Sequence, residues 1–322
     1  MATASKTKPR IIAIEEHYSD PQLAIGSGGR GPAITDRLND LGDWRIREMD
    51  EAGIDVQVLS MAGNVLYQMD PDSAAKMATG INDRLNEAVR KHPDRFQAFA
   101  ALPTTNPKAA ADELERCVTK YGFKGAMTHG LTQGQFLDDP KFWPIYERAA
   151  ALDVPIYMHP AEPHKAVVDV YYKDYLKTFP GIISAPLGYT VETAVQGVRM
   201  VLSGVFDKYP KLKIILGHMG EGLPFLLWRI DHTLKNPGNA PIEFREIFCE
   251  HFYITTSGFF SDPALLCSMM EMGADRIIFS VDWPWGNNKE GADWLHRMSI
   301  SAEDKAKIFA GNVENLLHMK RN

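Results

Sequence analysis

Short runs of apolar residues recur along the chain, each followed by a longer stretch whose apolar positions return every three or four residues. The short runs predict strands at 11–15, 55–60, 96–101, 125–129, 155–159, 213–217, 252–256 and 276–280. Several are apolar almost throughout, as expected of strands covered on both faces of a parallel sheet. The periodic stretches predict helices at 43–52, stopped by Gly53, and at 72–91, preceded by Pro71 and ended by His92-Pro93. Asn106-Pro107 caps and opens the next helix, which Gly122 closes, and Asp139-Pro140 opens another running to Leu152. Stretches 190–206, 221–234, 264–272 and 302–317 complete the set. Eight strand-then-helix units in series predict an α/β protein built as a single (β/α)8 (TIM) barrel over residues 11–322, behind a polar tail at 1–10. An open doubly wound sheet uses the same units, but no glycine fingerprint follows the first strand.

Two connections are longer than such a barrel needs: 19–41, containing Gly26-Ser27-Gly28-Gly29, and 161–186, after the first and fifth strands. Loops this long in a compact domain are usually lids or interface elements. The 322 residues are 45% hydrophobic and 24% charged, which excludes global disorder and is enough for a large core. With 35 basic against 41 acidic residues, the chain lacks the basic balance of a nucleic-acid binder. No run approaches the ~18 apolar residues of a membrane span, and 11–14 is too short for a secretion signal. Cys117, Cys249 and Cys267 are widely spaced and form no CxxC pair, which predicts a reducing, cytoplasmic setting.

In a barrel the chemistry sits at the C-terminal ends of the strands, and polar residues gather there. The first strand runs out through Glu15-Glu16-His17. Residues two apart share a face, so Glu15 and His17 point together while Glu16 points the other way, and Glu15 next to Glu16 also reads as a solvated strand end. The fifth strand ends in His159, the sixth leads to His218 and Glu221, and the eighth to Asp282-Trp283-Pro284. Each residue alone reads equally well as a hydrogen-bonded structural group, and Asp282 as a turn cap. Carboxylates and imidazoles meeting at one rim, however, suit one divalent first-row ion, Zn²⁺ or Mn²⁺.

As a set, Glu15-x-His17, Tyr157-Met158-His159-Pro160, Gly217-His218-Met219-Gly220-Glu221 and Ser280-Val281-Asp282-Trp283-Pro284 resemble the amidohydrolase superfamily. The likeness is to its branch of aminocarboxymuconate semialdehyde and hydroxybenzoate decarboxylases, above all the γ-resorcylate (2,6-dihydroxybenzoate) and 2,3-dihydroxybenzoate enzymes. Residues 95–103, 223–232 and 254–258 share it, so it covers nearly the whole chain. The resemblance implies a metal-dependent, non-oxidative and reversible decarboxylase of an ortho-hydroxylated benzoic acid, acting as a homo-oligomer, commonly a dimer or tetramer. It implies that Glu15, His17, His159 and Asp282 hold one ion, with His218 beside it and turned towards Glu221, and that Arg229 shapes the substrate site. Hydrolases of the wider superfamily often bridge two metals with a carboxylated lysine from the fourth strand. Here that strand ends Ala126-Met127-Thr128-His129, which favours a single ion.

Losing CO₂ directly would leave an aryl carbanion, so the ring carbon must take a proton first, and CO₂ departs as aromaticity returns. Asp282 is the candidate proton donor, supplied and tuned through His218 and Glu221. His129-Gly130 stands where the resembled enzymes carry Asn-Gly, which makes His129 a candidate substrate contact. Residues 60–64 also differ from the resembled pocket segment, and Phe259 replaces an asparagine. Trp283, together with Trp285, Tyr189 and the Tyr171-Tyr172 pair, is a candidate wall for an aromatic ring. A metal-dependent hydrolase of a lactone, ester or amide is the alternative for the same ligands. Glutamate in place of the first histidine of His-x-His fits the decarboxylase branch better.

Overall fold

Among the described residues, nine strands run in the order β1 (Ile12–Tyr18), β2 (Val56–Met61), β3 (Phe96–Ala98), β4 (Ala100–Ala101), β5 (Ala126–His129), β6 (Ile156–His159), β7 (Ile214–Leu216), β8 (Phe252–Thr255) and β9 (Ile277–Ile278). The structure is a computed structural model and describes residues 9–23, 32–238 and 240–320. The Gly26–Gly29 stretch, and all of the polar tail but Pro9 and Arg10, lie outside the described residues. The strands form two wholly parallel sheets, β1-β2-β3 and β4-β5-β6-β7-β8-β9. Each predicted strand is present, but the third is split. Phe99 falls between β3 and β4 and its N–H returns to Leu59 O at 2.9 Å, while Ala100 N–H donates to Gly125 O at 2.9 Å. The chain changes partner in mid-run. Past β9, Glu16 pairs in parallel with Trp283, whose carbonyl accepts from His17 N–H at 2.7 Å.

The helices follow the residues that start and stop them. Asp43–Ala52 ends at Gly53, whose φ of +75° is the left-handed C-cap that glycine adopts without strain. Asp70 caps Pro71–Lys91 by accepting from Ser73 N–H, and Asn106 caps Pro107–Arg116 by accepting from Ala109 N–H. Three helices appear that the pattern did not predict: Pro32–Asn39, Phe244–His251 and Asn288–Arg297. The first two have only eight residues, too few for a 3.6-residue period to stand out. The third buries Gly291, Ala292 and Trp294 rather than a run of aliphatic residues. Segment 161–186 carries short helical turns at Lys165–Val167, Val168–Tyr172 and Pro180–Ile183. No helix among the described residues is long and apolar enough to cross a membrane.

Strand side chains divide into two buried layers. Ile12, Ile14, Val58, Met127, Tyr157 and Ile215 pack together on one side with Val313 and Leu317, and Leu59, Phe96, Ile156 and Phe252 belong to the larger core on the other. Full burial of each large aliphatic side chain contributes roughly 1.5–3 kcal/mol. β1 contains the irregularity that positions the site. It pairs Ile12 with Val56 and Ala13 with Gln57, then Glu16 with Leu59 and His17 with Ser60. One extra residue on β1 therefore reverses which positions face inward, as a bulge does. Before it Ile12 and Ile14 face the inner layer, and after it His17 does.

Candidate active site

Glu15, His17, His159 and Asp282 come together at the ends of β1 and β6 and beyond β9, each offering a ligand atom within 4.8 Å of the others. Glu15 Oε1 lies 3.2 Å from His159 Nε2, and His17 Nε2 lies 3.3 Å from Asp282 Oδ1. The other ring nitrogens are occupied: His17 Nδ1 is 3.2 Å from Ser60 Oγ, and His159 Nδ1 is 2.7 Å from Pro160 O. Such outer partners orient imidazoles that bind metals, here leaving both Nε2 atoms towards the cluster. Glu15 Oε2 accepts from the Tyr157 hydroxyl. A Cβ on Gly217 would stand 3.0 Å from that oxygen, so any larger residue would press on the carboxylate. Yet Glu15 Oε1 and His17 Nε2, both buried, have no hydrogen-bond partner among the described residues. An unpaired buried polar atom costs about 1–3 kcal/mol, so this donor set fits a cation that would pair them.

His218 and Glu221 follow β7 on a turn in which His218, Met219 and Glu221 take φ of 47°, 57° and 55°. Non-glycine residues in that region cost of order 1–3 kcal/mol each and persist where surroundings enforce them. His218 Nδ1 is 2.8 Å from Glu221 Oε1, and its Nε2 is 3.8 Å from Glu15 Oε1 and 3.9 Å from Asp282 Oδ2. Burial opposes a charge on His218, but the Glu221 and Glu15 carboxylates outweigh it and hold the imidazole well above its ordinary pKa. Burial likewise works to raise Glu15 and Asp282. The surrounding imidazoles reverse it and hold both below the usual carboxylate range. Desolvation lowers His17 and, more strongly, His129, favouring their neutral rings.

His129 is buried at the end of β5 with its ring centroid 4.7 Å from that of His159, and neither ring nitrogen has a partner among the described residues. With His17 and His159 it forms a second group of suitable spacing for an ion. A cavity of about 830 Å³ opens over His218 and Asp282, walled by Phe225, Phe259, Phe260 and Trp285, with Ala185 and Pro186 at its edge. Trp285 lies 5.1 Å from the His17 ring.

Two expected substrate contacts lie elsewhere. Trp283 is buried away from the cavity under the Arg45 guanidinium, 3.8 Å from its ring centroid, and donates to Glu48 at 2.7 Å. The turn at Asp282, with φ of 68°, sends the next side chain to the opposite side. Arg229 is exposed on helix Leu223–Thr233, which buries Leu223, Pro224 and Leu227, so it does not line the cavity of its own chain. Tyr171 is exposed and Tyr172 buried, both off the cavity, as is Tyr189.

Residues 17–319 match the family model described as Amidohydrolase. The chain belongs to this family. The amidohydrolase is 42% identical over 329 residues to the gamma-resorcylate decarboxylase of Polaromonas sp. (strain JS666 / ATCC BAA-500), covering 96% of this chain and 99% of that protein. Its fold matches the crystal structure of a dihydroxybenzoic acid decarboxylase from Polaromonas sp. JS666, which holds manganese and the inhibitor 2-nitroresorcinol. The TM-score is 0.91 at 41% identity, over 98% of each chain. A 2,6-dihydroxybenzoate decarboxylase complexed with 2,6-dihydroxybenzoate matches with a TM-score of 0.90 at 38% identity, over 97% of this chain and 100% of that one. The resemblance drawn from the strand ends is borne out.

One group in this amidohydrolase corrects the sequence reading. Glu16 is not a solvated strand end but wholly buried, because both faces of β1 are covered. Its Oε1 accepts from Val281 N–H at 3.0 Å and Ser280 Oγ at 3.3 Å, and its Oε2 from Trp283 N–H at 3.2 Å and Gln57 Nε2 at 3.4 Å. Burial pushes the carboxyl up to about 8, against the pull of those N–H groups and of Arg45. Four donors converge on its two oxygens. Arg45 lies behind, donating to Gln57 Oε1 at 3.3 Å and to the His17 carbonyl. The signal was present: a second acid inside a strand that reads as covered on both faces.

Proposed function

We propose that this amidohydrolase is a metal-dependent carboxy-lyase that removes CO₂, without oxidation and reversibly, from an ortho-hydroxylated benzoic acid such as 2,6- or 2,3-dihydroxybenzoate. The reading is carried by the meeting of Glu15, His17, His159 and Asp282 beside the His218–Glu221 pair, with His218 and Asp282 opening on one cavity, in a chain matched almost end to end by gamma-resorcylate decarboxylases. Glu15, His17, His159 and Asp282 would hold one divalent ion. Two carboxylates and two neutral imidazoles balance its charge and suit Mn²⁺ or Zn²⁺, manganese being the ion in the Polaromonas enzyme. When bound, that ion supplies Lewis-acid polarisation of substrate oxygens.

The chain's own residues do the rest. Trp285, Phe259 and Phe260 offer an aromatic ring apolar walls; His129, buried beside His159 and not among the residues lining the cavity, keeps two unpartnered ring nitrogens as a candidate contact for a ring hydroxyl. Asp282 protonates the ring carbon that carries the carboxylate. The bond from that carbon to the carboxylate then breaks, its electron pair restores the aromatic ring, and CO₂ leaves. Asp282 is held ionised at rest and His218 protonated, so the proton reaches Asp282 from His218, whose Nε2 is 3.9 Å from Oδ2. Glu221 keeps the imidazole charged and oriented.

We also read the two sheets as one closed (β/α)8 barrel over residues 11–322, with 1–10 as a tail. The return of Phe99 to β2 and the pairing of Glu16 with Trp283 support it. Long connections after β1 and β6 would border the active face, as Ala185 and Pro186 at the cavity suggest. Exposed Phe225, Trp228 and Met270 support a homo-oligomer, and free Cys117, Cys249 and Cys267 a reducing, cytoplasmic setting.

The test is to offer manganese-loaded protein a panel of hydroxybenzoates, follow CO₂, and repeat in bicarbonate for the reverse reaction. Release from 2,6- or 2,3-dihydroxybenzoate, and none from isomers lacking an ortho hydroxyl, is expected. Clear ester or lactone turnover with no CO₂ from any of them would instead establish the hydrolase.

A further inference from the structure

We infer that Glu16 is a positioning residue: from the far face of β1 its carboxylate grips the two backbone N–H groups that flank Asp282 and so sets that side chain towards the ion and the substrate. The inference rests on the reading of Asp282 as ligand and proton donor.

The segment that needs holding is 279–283. β9 ends at Ile278, so Asp282 stands outside regular pairing and in a left-handed conformation. Thr256 Oγ1 fixes Ser280 by donating to its carbonyl at 2.8 Å and accepting from its N–H at 3.0 Å. Beyond Ser280 the N–H groups of Val281 and Trp283 both turn to Glu16, one to each oxygen. With the residues on either side of it bound to one buried carboxyl group, Asp282 cannot swing without breaking a buried hydrogen bond.

The same tripeptide therefore serves both faces of the strand. The bulge on β1 turns His17 inward and leaves Glu16 outward, opposite Leu59. Glu15 and His17 contribute atoms to the cluster, and Glu16 places the remaining carboxylate against them. Arg45 closes the assembly from behind, bonded to the His17 carbonyl and stacked on Trp283.

The test compares wild type, Glu16→Gln and Glu16→Asp, loaded with Co²⁺. It records the visible d–d band, the Co²⁺ affinity by chelator competition, and kcat and KM on 2,6-dihydroxybenzoate. Glu16→Gln keeps the size but sets an NH₂ against a backbone N–H. We expect a folded protein with an altered band and about 10- to 100-fold losses in affinity and kcat, with KM within about threefold. Glu16→Asp, which keeps a carboxyl group with two acceptor oxygens, should recover part of each loss. A role confined to stability would lower Tm and leave the band of the folded protein unchanged. Folded Glu16→Gln with the wild-type band, and affinity and kcat within about twofold, overturns the inference. Should Glu16→Gln not fold, the same result in Glu16→Asp overturns it. Wild-type protein that binds cobalt but releases no CO₂ overturns the decarboxylase reading instead, leaving the inference to the band and affinity. Wild-type protein that binds no cobalt overturns both.

Discussion

The two faces of β1 carry acidic side chains one residue apart that have opposite fates. On the inner face, Glu15 Oε1 and His17 Nε2 are buried without a hydrogen bond among the described residues and face the other ligand atoms, His159 Nε2 at 3.2 Å and Asp282 Oδ1 at 3.3 Å respectively. On the outer face, each oxygen of Glu16 accepts from two donors. Burial is equally complete for both glutamates, so burial alone does not separate a ligand from a piece of scaffold. Satisfaction does. A saturated carboxylate ties its surroundings down, whereas an unsaturated one persists only where something else completes it.

The sharpest way to break this comparison is at the group that both faces share. Asp282→Asn should slow turnover by about 10²–10⁴-fold, since a positioned proton donor contributes that much, and should leave the ion bound. Near-normal kcat with bound ion would remove Asp282 from the chemistry. Next in size is Tyr157→Phe, which strips the hydroxyl from Glu15 Oε2 and leaves that oxygen only the longer bond from Thr255 Oγ1 at 3.4 Å. Metal affinity, read by chelator competition, should fall about 10- to 100-fold. Unchanged affinity would show that Glu15 needs no outer partner.

A pH profile sharpens the part played by His218. Its pKa lies well above the ordinary imidazole value, so the protonated form persists through neutral pH and is lost as pH rises through the raised value. Activity should therefore fall on the alkaline side. Glu221→Gln removes a carboxylate that raises it and should move that limb to lower pH, by about a unit or more. A limb that stays in place would assign it to another group. The smallest effect is expected outside the site. Trp283→Phe loses the bond to Glu48 and weakens the stacking with Arg45, so Tm should drop by the equivalent of about 1 kcal/mol while KM is unchanged. A raised KM would return Trp283 to the cavity wall.

The contrast also marks what a sequence can show. Glu15, His17, His159, His218 and Asp282 were legible because each ends a strand or follows one closely, and topology brings strand ends to one rim. The helices with strong caps, such as Pro71–Lys91 behind Asp70, were legible from local chemistry. The burial of Glu16 was legible in a strand covered on both faces, but its role was not, because that depends on a bulge in β1 and on the turn at 281–283, neither of which has a local signature. Trp283 and Trp285 read alike as cavity walls, and the left-handed turn at Asp282 decides that only Trp285 lines the cavity. Arg229 depended on which face of its helix is buried, and the flanking Phe225, Leu226 and Trp228, all exposed apolar residues, obscure that face in the pattern. The split at Phe99 is a change of hydrogen-bond partner, which hydropathy does not record.

The most direct test of the account is to titrate metal-free protein with Mn²⁺ in the presence of 2,6-dihydroxybenzoate while following CO₂. The account predicts release that rises with added ion and levels off at one ion per chain. No release at any loading, or a plateau reached only at two ions per chain, would contradict it.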